Sequence, residues 1–417
     1  MSKIRIAIDI GSTVVKIAKI GSNDEIIEQN FYPRDFETGI AKQVESLVDS
    51  LDIPLDKNSI QVCSSANGGL RIGIICLTNH FSGTTFRNQV LSAGANPIFV
   101  HDLEDDRGNL NPIDILLIGG GIDCEDSPPL EKRLRRFNPD KYHFSSLIYA
   151  GNCFYADLFT QLFPDAKVIA NPLAEALNSR KSTVFEALRH AYLDDLVFKD
   201  GVSELRDSLS KTIHPTPEIV NRGFQRAVFN HSTILITGAC VLIDIGGATT
   251  DIHYTVEIIS TNSESRPSAG TSIARYVFTD LGIVASIDST ILQLRTHPRL
   301  YEFLNIILKE NIREIYRSLR EGEYDPSLEI LSYACLFLAL DRFSQGQGAG
   351  LPIAELGKVS QFILTGGSAQ NLNEKMISKI VNLFLENENS HPTVFIDRCY
   401  QIWVDGITWP CSPAYTV

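Results

Sequence analysis

Two copies of one turn constrain this chain more than any other feature. Val241-Leu-Ile-Asp-Ile-Gly-Gly-Ala-Thr-Thr-Asp251 and the shorter Ile6-Ala-Ile-Asp-Ile-Gly-Ser-Thr13 each run an apolar strand into an aspartate, a glycine and small hydroxylated residues. Asp9 and Asp244 lie 244 − 9 = 235 residues apart, more than half of the 417-residue chain. Glycine lets a backbone approach an anion closely, and successive N–H groups then form a nest. A carboxylate beside such a nest suits a hydrated Mg²⁺ better than the anion itself. The pair is therefore expected to grip a nucleoside triphosphate from two sides. Backbone N–H groups of Gly11, Ser12 and Thr13 would face Gly246, Gly247 and Ala248, with the hydroxyls of Thr249 and Thr250 as further donors. A single Asp-Ile-Gly would read equally well as a hairpin turn. The second copy, and a late Thr365-Gly-Gly-Ser368, favour the nucleotide.

The segments around these turns alternate in an α/β rhythm. Residues 3–20 read as a hairpin, 38–51 as an amphipathic helix, and 60–64, 70–77, 97–100, 113–118 and 147–150 as strands. In the second half, 240–245 and 251–259 repeat the hairpin, 300–319 has helical spacing, and 361–364 runs into the Gly-Gly-Ser turn, followed by a helix over 373–385. Gly119-Gly120 and Gly366-Gly367 are 366 − 119 = 247 residues apart, close to the aspartate offset, which argues for an internal duplication. The expected organisation is a first α/β domain over 1–177, a mostly helical insertion over 178–237 and a second α/β domain over 238–417. Within the insertion His214-Pro-Thr-Pro217 reads as a stiff, extended stop.

Bulk properties exclude several classes. A formal charge of −13 offers no surplus to neutralise nucleic-acid phosphates. The eight cysteines include no C-x-x-C pair, so a metal or iron–sulfur centre is not expected and a reducing cytoplasm is. No apolar run reaches the roughly 20 residues of a membrane span, and no secretory signal is expected.

The two phosphate turns, Thr365-Gly-Gly-Ser368 and Ala170-Asn-Pro-Leu-Ala-Glu-Ala-Leu177 together resemble the actin, sugar-kinase and heat-shock-chaperone ATPase superfamily. That resemblance implies two ribonuclease-H-like domains closing on ATP and Mg²⁺ in a central cleft. Asp9 and Asp244 would hold the metal through water, and Asp251 would lie near the attacking water. Gly366, Gly367 and Ser368 would back the adenosine, and residues 170–177 would form the connecting helix. Ser64-Ser-Ala-Asn-Gly-Gly-Leu-Arg71, Ile148-Tyr-Ala-Gly-Asn152, Pro215-Thr-Pro217, Asp244–His253, Asp280-Leu-Gly282 and Ile396-Asp-Arg398 occur in the order found in the MutL-type accessory proteins of glutamate mutase. The resemblance spans nearly the whole chain, and Gly-Gly-Ala-Thr-Thr-Asp-Ile-His is its most specific part. Such a family implies ATP-dependent reactivation of an adenosylcobalamin-dependent mutase, with weak hydrolysis to ADP. The acidic Gly121-Ile-Asp-Cys-Glu-Asp126 departs from the family's glycine-containing stretch.

Other residues have competing readings. His253 shares a strand face with Asp251, where a hydrogen-bonded structural histidine is the simpler expectation. Asp123, Glu125 and Asp126 are either a cation site or an exposed acidic loop, Arg71 a phosphate contact or a surface ion pair, and Trp403 and Trp409 packing anchors. On the same fold, a small-molecule kinase or a non-catalytic nucleotide-switched scaffold is the alternative to a slow ATPase. A kinase would need a substrate base, and no recognisable motif supplies one.

Overall fold

The computed structural model describes residues 4–409 except 12–13, 36, 52–58, 66–69, 79–81, 94, 105–107, 110–111, 124–125, 230, 264–266, 268–271, 348–350 and 386–389, and of 173–212 describes Val184, Ala187, Leu188 and Ala191. Its strands are β1 (Arg5–Ile10), β2 (Val14–Ile20), β3 (Ile26–Pro33), β4 (Ile60–Ser64), β5 (Arg71–Cys76), β6 (Asn96–Asp102), β7 (Ile115–Gly120), β8 (Ser146–Gly151), β9 (Lys167–Val168), β10 (Ile213–Pro215), β11 (Cys240–Ile245), β12 (Thr250–Thr255), β13 (Ile273–Phe278), β14 (Gln361–Thr365) and β15 (Thr393–Ile396). The helices are α1 (Ile40–Asp49), α2 (Thr84–Ser92), α3 (Pro128–Arg136), α4 (Ala156–Leu162), α5 (Thr216–Val228), α6 (Ile287–Thr296), α7 (Leu300–Ile307), α8 (Ile312–Glu321), α9 (Leu328–Gln345), α10 (Glu374–Asn382) and α11 (Gln401–Thr408).

The duplication is visible in strand order. One five-stranded sheet runs β3-β2-β1-β4-β10 and another runs β13-β12-β11-β14-β15. In each, an antiparallel meander of three strands is extended by two parallel strands. This is the paired ribonuclease-H-like, actin-like α/β class that the twin turns imply. The equivalence extends to register: Asp9 stands opposite Lys16 and Asp244 opposite Asp251, and the Gly11 and Gly246 N–H groups close their turns onto the carbonyls of Val14 and Thr249, each at 2.9 Å.

A third sheet, all parallel, has the order β6-β5-β7-β8-β9 and interrupts the first half between its fourth and fifth strands. The expected first domain over 1–177 thus contains two sheets. β10 and α5, inside the span read as a helical insertion, instead complete the first sheet and follow it. The reason is physical: strands buried on both faces, such as β7, are continuous apolar runs that do not reveal which sheet they join. Gly119-Gly120 ends β7 of the inserted sheet, so its offset to Gly366-Gly367 is coincidental. The counterpart of β14's end is Ser64 at the end of β4. Residues 173–177 of the expected connecting helix lie outside the described residues.

The helix that does connect is α5. Pro217 in its first turn fits a helix start, where a missing N–H costs nothing, so the Pro-Thr-Pro segment begins a helix instead of ending one. The region 300–319 is likewise two helices, because Asn311 turns left-handed at φ 57° between α7 and α8.

α5 follows the fifth strand of the first sheet and α11 the fifth strand of the second, and the two helices cross between the halves. A Cβ on Gly223 would overlap the carbonyl of Ile402, and one on Gly406 the carbonyl of Ile219. The crossing is thus backbone against backbone. Trp403 of α11 reaches the first half, donating its indole N–H to the Cys63 thiol sulfur at 3.1 Å, while Phe224 and Val220 of α5 pack with Leu242 and Ile363 of the second half. Trp403 is a packing anchor, as expected.

Gly406→Ala should destabilise the protein by about 1–3 kcal/mol through overpacking. Helix propensity alone predicts a gain of about 1 kcal/mol. Denaturant midpoints decide between them, and a raised midpoint would contradict the close crossing.

Candidate functional site

The crossing sets the carboxyl ends of β1 and β11 on either side of one cleft of about 740 Å³. Asp9, Gly11, Lys16 and Thr216 line it from the first half, and Asp244, Gly246, Gly247, Thr249, Asp251, Gly366, Gly367 and Ser368 from the second. The structure therefore brings together most residues singled out in the sequence. Ser12 and Thr13 lie outside the described residues.

The second turn is held from behind. The carbonyls of Gly246 and Gly247 accept N–H groups from Ile283, Val284 and Ala285, and that of Ala248 accepts the Ser286 hydroxyl at 2.7 Å. The Gly246 N–H is engaged by the Thr249 carbonyl at 2.9 Å, so Gly247 and Ala248 are the candidate N–H donors of this turn. Gly282 of the Asp-Leu-Gly segment lies flush under Ala248, where a Cβ would come within 2.6 Å of the Ala248 carbonyl carbon. Gly366, at φ +91°, lies against the Asp244 carboxylate, which leaves no room for a side chain.

Thr250 does not fit its expected role. It is fully buried on β12 and donates its hydroxyl to the Leu281 carbonyl at 3.0 Å, because strand alternation turns it away from the cleft. Thr249 does face the cleft, with its hydroxyl 3.3 Å from Asp251.

The two aspartates differ in their surroundings. Asp9 is 1% exposed and has three partners: Lys16 Nζ lies 2.8 Å from Oδ2, and Thr216 Oγ1 and the Cys63 thiol donate to Oδ1 at 2.6 and 3.4 Å. Burial opposes the Lys16 charge, but Asp9, with Tyr400 and Asp244 adding to it, more than offsets this and raises its pKa. Asp244 is partly buried beside the cleft, and no hydrogen bond to its carboxylate occurs among the described residues. Burial, then the charges of Asp251 and Asp9, push its carboxyl up to about 7 against the opposing pull of Lys16 and Arg275. A hydrated divalent cation fits this excess of negative charge at Asp244. Asp9 is already partnered by Lys16, Thr216 and Cys63, so the charge left open to a cation lies on the Asp244 side.

Sequence reasoning missed several of these groups. Lys16 reads as an ordinary strand residue, and only its register against Asp9 marks it as the positional twin of Asp251. Arg275 is 6% exposed and ion-paired to Asp251, with Nε 2.7 Å from Oδ1. Val284 and Leu328, both exposed, also line the cleft, together with Ser332, Leu372 and the 366–368 turn. Asp397 of the Ile-Asp-Arg segment accepts the N–H groups of Gln401 and Ile402 and so caps α11.

The remaining candidates are structural. His253 is fully buried and bonded through Nδ1 to Asn221 of α5 at 3.0 Å, and burial pushes its pKa well down. Asp123 accepts the Cys153 N–H and the Asn171 amide, and Asp126 accepts the Tyr155 hydroxyl, so these carboxylates brace a loop. Glu125 lies outside the described residues. Arg71 makes a surface pair with Asp114. Among the described residues no group of three metal-ligating side chains clusters, and no helix is long and apolar enough to cross a membrane.

A family model described as MutL protein matches residues 5–405. Protein MutL of Clostridium tetanomorphum is 24% identical over 263 residues, 59% of this chain and 56% of that protein, so the match spans little more than half of that relative. Among solved structures, the activator of 2-hydroxyisocaproyl-CoA dehydratase from Clostridium difficile with bound ADPNP is similar at 10% identity and a TM-score of 0.34, covering 97% of this chain and 92% of that one. A ROK family glucokinase from Streptomyces griseus with glucose and AMPPNP gives 11%, 0.33, 97% and 98%.

Replacing Lys16 by Met should strand the buried Asp9 charge and cost about 3–5 kcal/mol. Adding Asp9→Asn should recover most of that loss in a double-mutant cycle. Additive losses in denaturation would show that the pair is not coupled.

Proposed function

The chain belongs to the MutL protein family, and from that membership and the geometry of the cleft we propose that it is an ATP-driven accessory protein of an adenosylcobalamin-dependent mutase. The observation that carries the reading is the pair of Asp-Gly turns facing each other across one cleft, with Lys16 and Asp251 at matching register positions. In this proposal the N–H groups of Gly247 and Ala248, and the turn that Gly11 closes onto Val14, receive the phosphates, and Lys16 brings a cation to them. Mg²⁺, supplied with the nucleotide, offers charge neutralisation and is held through water by Asp244. Adenosine lies in the part of the cleft lined by Leu328 and Gly366–Ser368. Asp251, fixed in direction by Arg275, orients the attacking water.

Positioning and charge stabilisation are the whole of such catalysis, so a site that closes slowly hydrolyses slowly. Closure about the α5–α11 crossing would then convert the nucleotide state into a change of shape. A partner mutase holding spent cobalamin is the proposed object of that change, which matches what the resemblance of the motifs implies. The cytoplasm is the proposed location.

Purified protein should hydrolyse ATP with Mg²⁺ and without any small-molecule acceptor, and Asp244→Asn should lower the rate about 100-fold or more while far-UV dichroism stays unchanged. The partner is tested by adding the protein and ATP to an inactivated adenosylcobalamin-dependent mutase and measuring recovered turnover. Phosphate transfer to a metabolite, or full hydrolysis by the variant, would refute the reading.

A further inference from the structure

A forked side chain of the second half reaches a helix that packs on the inserted parallel sheet. Arg275 lies on β13, with Nε 2.7 Å from Asp251 Oδ1 and Nη1 2.8 Å from the carbonyl oxygen of Leu91. Asp251 is 5% exposed and borders the cleft, and Leu91 closes the last turn of α2. A guanidinium can hold a carboxylate and a helix-end carbonyl at once because its donors form a rigid planar fork. The carboxyl end of a helix also favours a cation.

α2 belongs to two cores. Leu91 packs with the second half, beside Val277 and Tyr276, whereas Phe86 and Val90 pack with the core shared by the first sheet and the inserted sheet. The ring of Phe86 lies flush on Gly119 of β7, so closely that a Cβ there would overlap it. A displacement of α2 is therefore passed to the carboxyl end of β7. From there chain continuity reaches Gly121, whose carbonyl is held by the buried Asn171, and the exposed Ile122.

We infer that Arg275 is a positioning residue that couples the state of the cleft to the inserted sheet, through Asp251 on one side and the Leu91 carbonyl of α2 on the other. The inference rests on the nucleotide reading of the cleft and names its route of regulation. Any change in the charge facing Asp251 alters the hold on Arg275, and Arg275 cannot follow Asp251 without loosening or tightening its bond to α2. Coupling of this kind needs two arrangements of one packed element, and α2, wedged between two cores, is that element.

Hydrogen exchange of the amides over 84–95 tests it, compared between MgATP and MgADP on the full chain, with nucleotide affinity measured by calorimetry in parallel. The wild type should show exchange rates differing by at least about fivefold between the two nucleotides, the low end of ordinary allosteric coupling. Arg275→Lys keeps the charge beside Asp251 but not the fork, and it should abolish the difference while still binding nucleotide. Asp251→Asn, which leaves the Arg275 bond to α2, should abolish it as well. Nucleotide binding with identical α2 exchange in the wild type, or a wild-type difference in Arg275→Lys, would overturn this inference alone. An absence of any nucleotide binding would overturn it together with the function proposed above.

Discussion

The contact of α5 with α11 at Gly223 and Gly406 governs everything else in this molecule. Two helices meet with their backbones touching, and each packs on elements of both halves. The near-symmetry of that crossing carries β1 and β11 into opposition, so that two turns more than two hundred residues apart share one cleft. A side chain at either glycine would push the halves apart and widen the cleft from its floor. The same contact is suited to a hinge, since a smooth backbone interface resists rolling less than interlocked side chains do.

Duplication supplied two equal turns, and their chemistry has diverged. On the first, the residue opposite the aspartate is Lys16, which neutralises Asp9 and leaves it a structural acceptor for Thr216 and Cys63. On the second, the residue opposite is Asp251, whose charge adds to burial in raising the cost of ionising Asp244, and Lys16 and Arg275 only partly relieve it. One side of the cleft thus offers a cation and the other an excess of negative charge. A phosphate chain carrying a divalent ion needs that polarity, and a symmetrical pair of aspartates would not provide it.

How much of this was legible in the sequence depends on range. The Asp-Gly turns could be read because strand, carboxylate and glycine are adjacent in the chain, and the hairpin register that follows is fixed by side-chain alternation. Gly366 and Gly367 were legible for the same reason. Partition of the strands among three sheets was not, because doubly buried strands such as β5 and β7 carry no mark of their neighbours. Pro215-Thr-Pro217 was misread because proline ends one element and starts another with the same constraint on φ. Thr216 and Tyr400 reach the cleft, and Arg275 backs its Asp251, from elements distant in sequence, and only the fold assembles them. Thr250 shows the converse: its place in the motif was right and the strand's pleat turned its hydroxyl the other way.

The proposed function requires the two turns to clasp one magnesium-bound polyphosphate. A crystal structure of the full chain with a non-hydrolysable ATP analogue and Mg²⁺ tests it most directly. The phosphates should lie between the Gly11 turn and Gly247–Ala248, with a hydrated metal nearer Asp244 than Asp9 and adenine against Leu328 and Gly367. Nucleotide bound elsewhere, or a cleft that stays empty at saturating analogue, would contradict it.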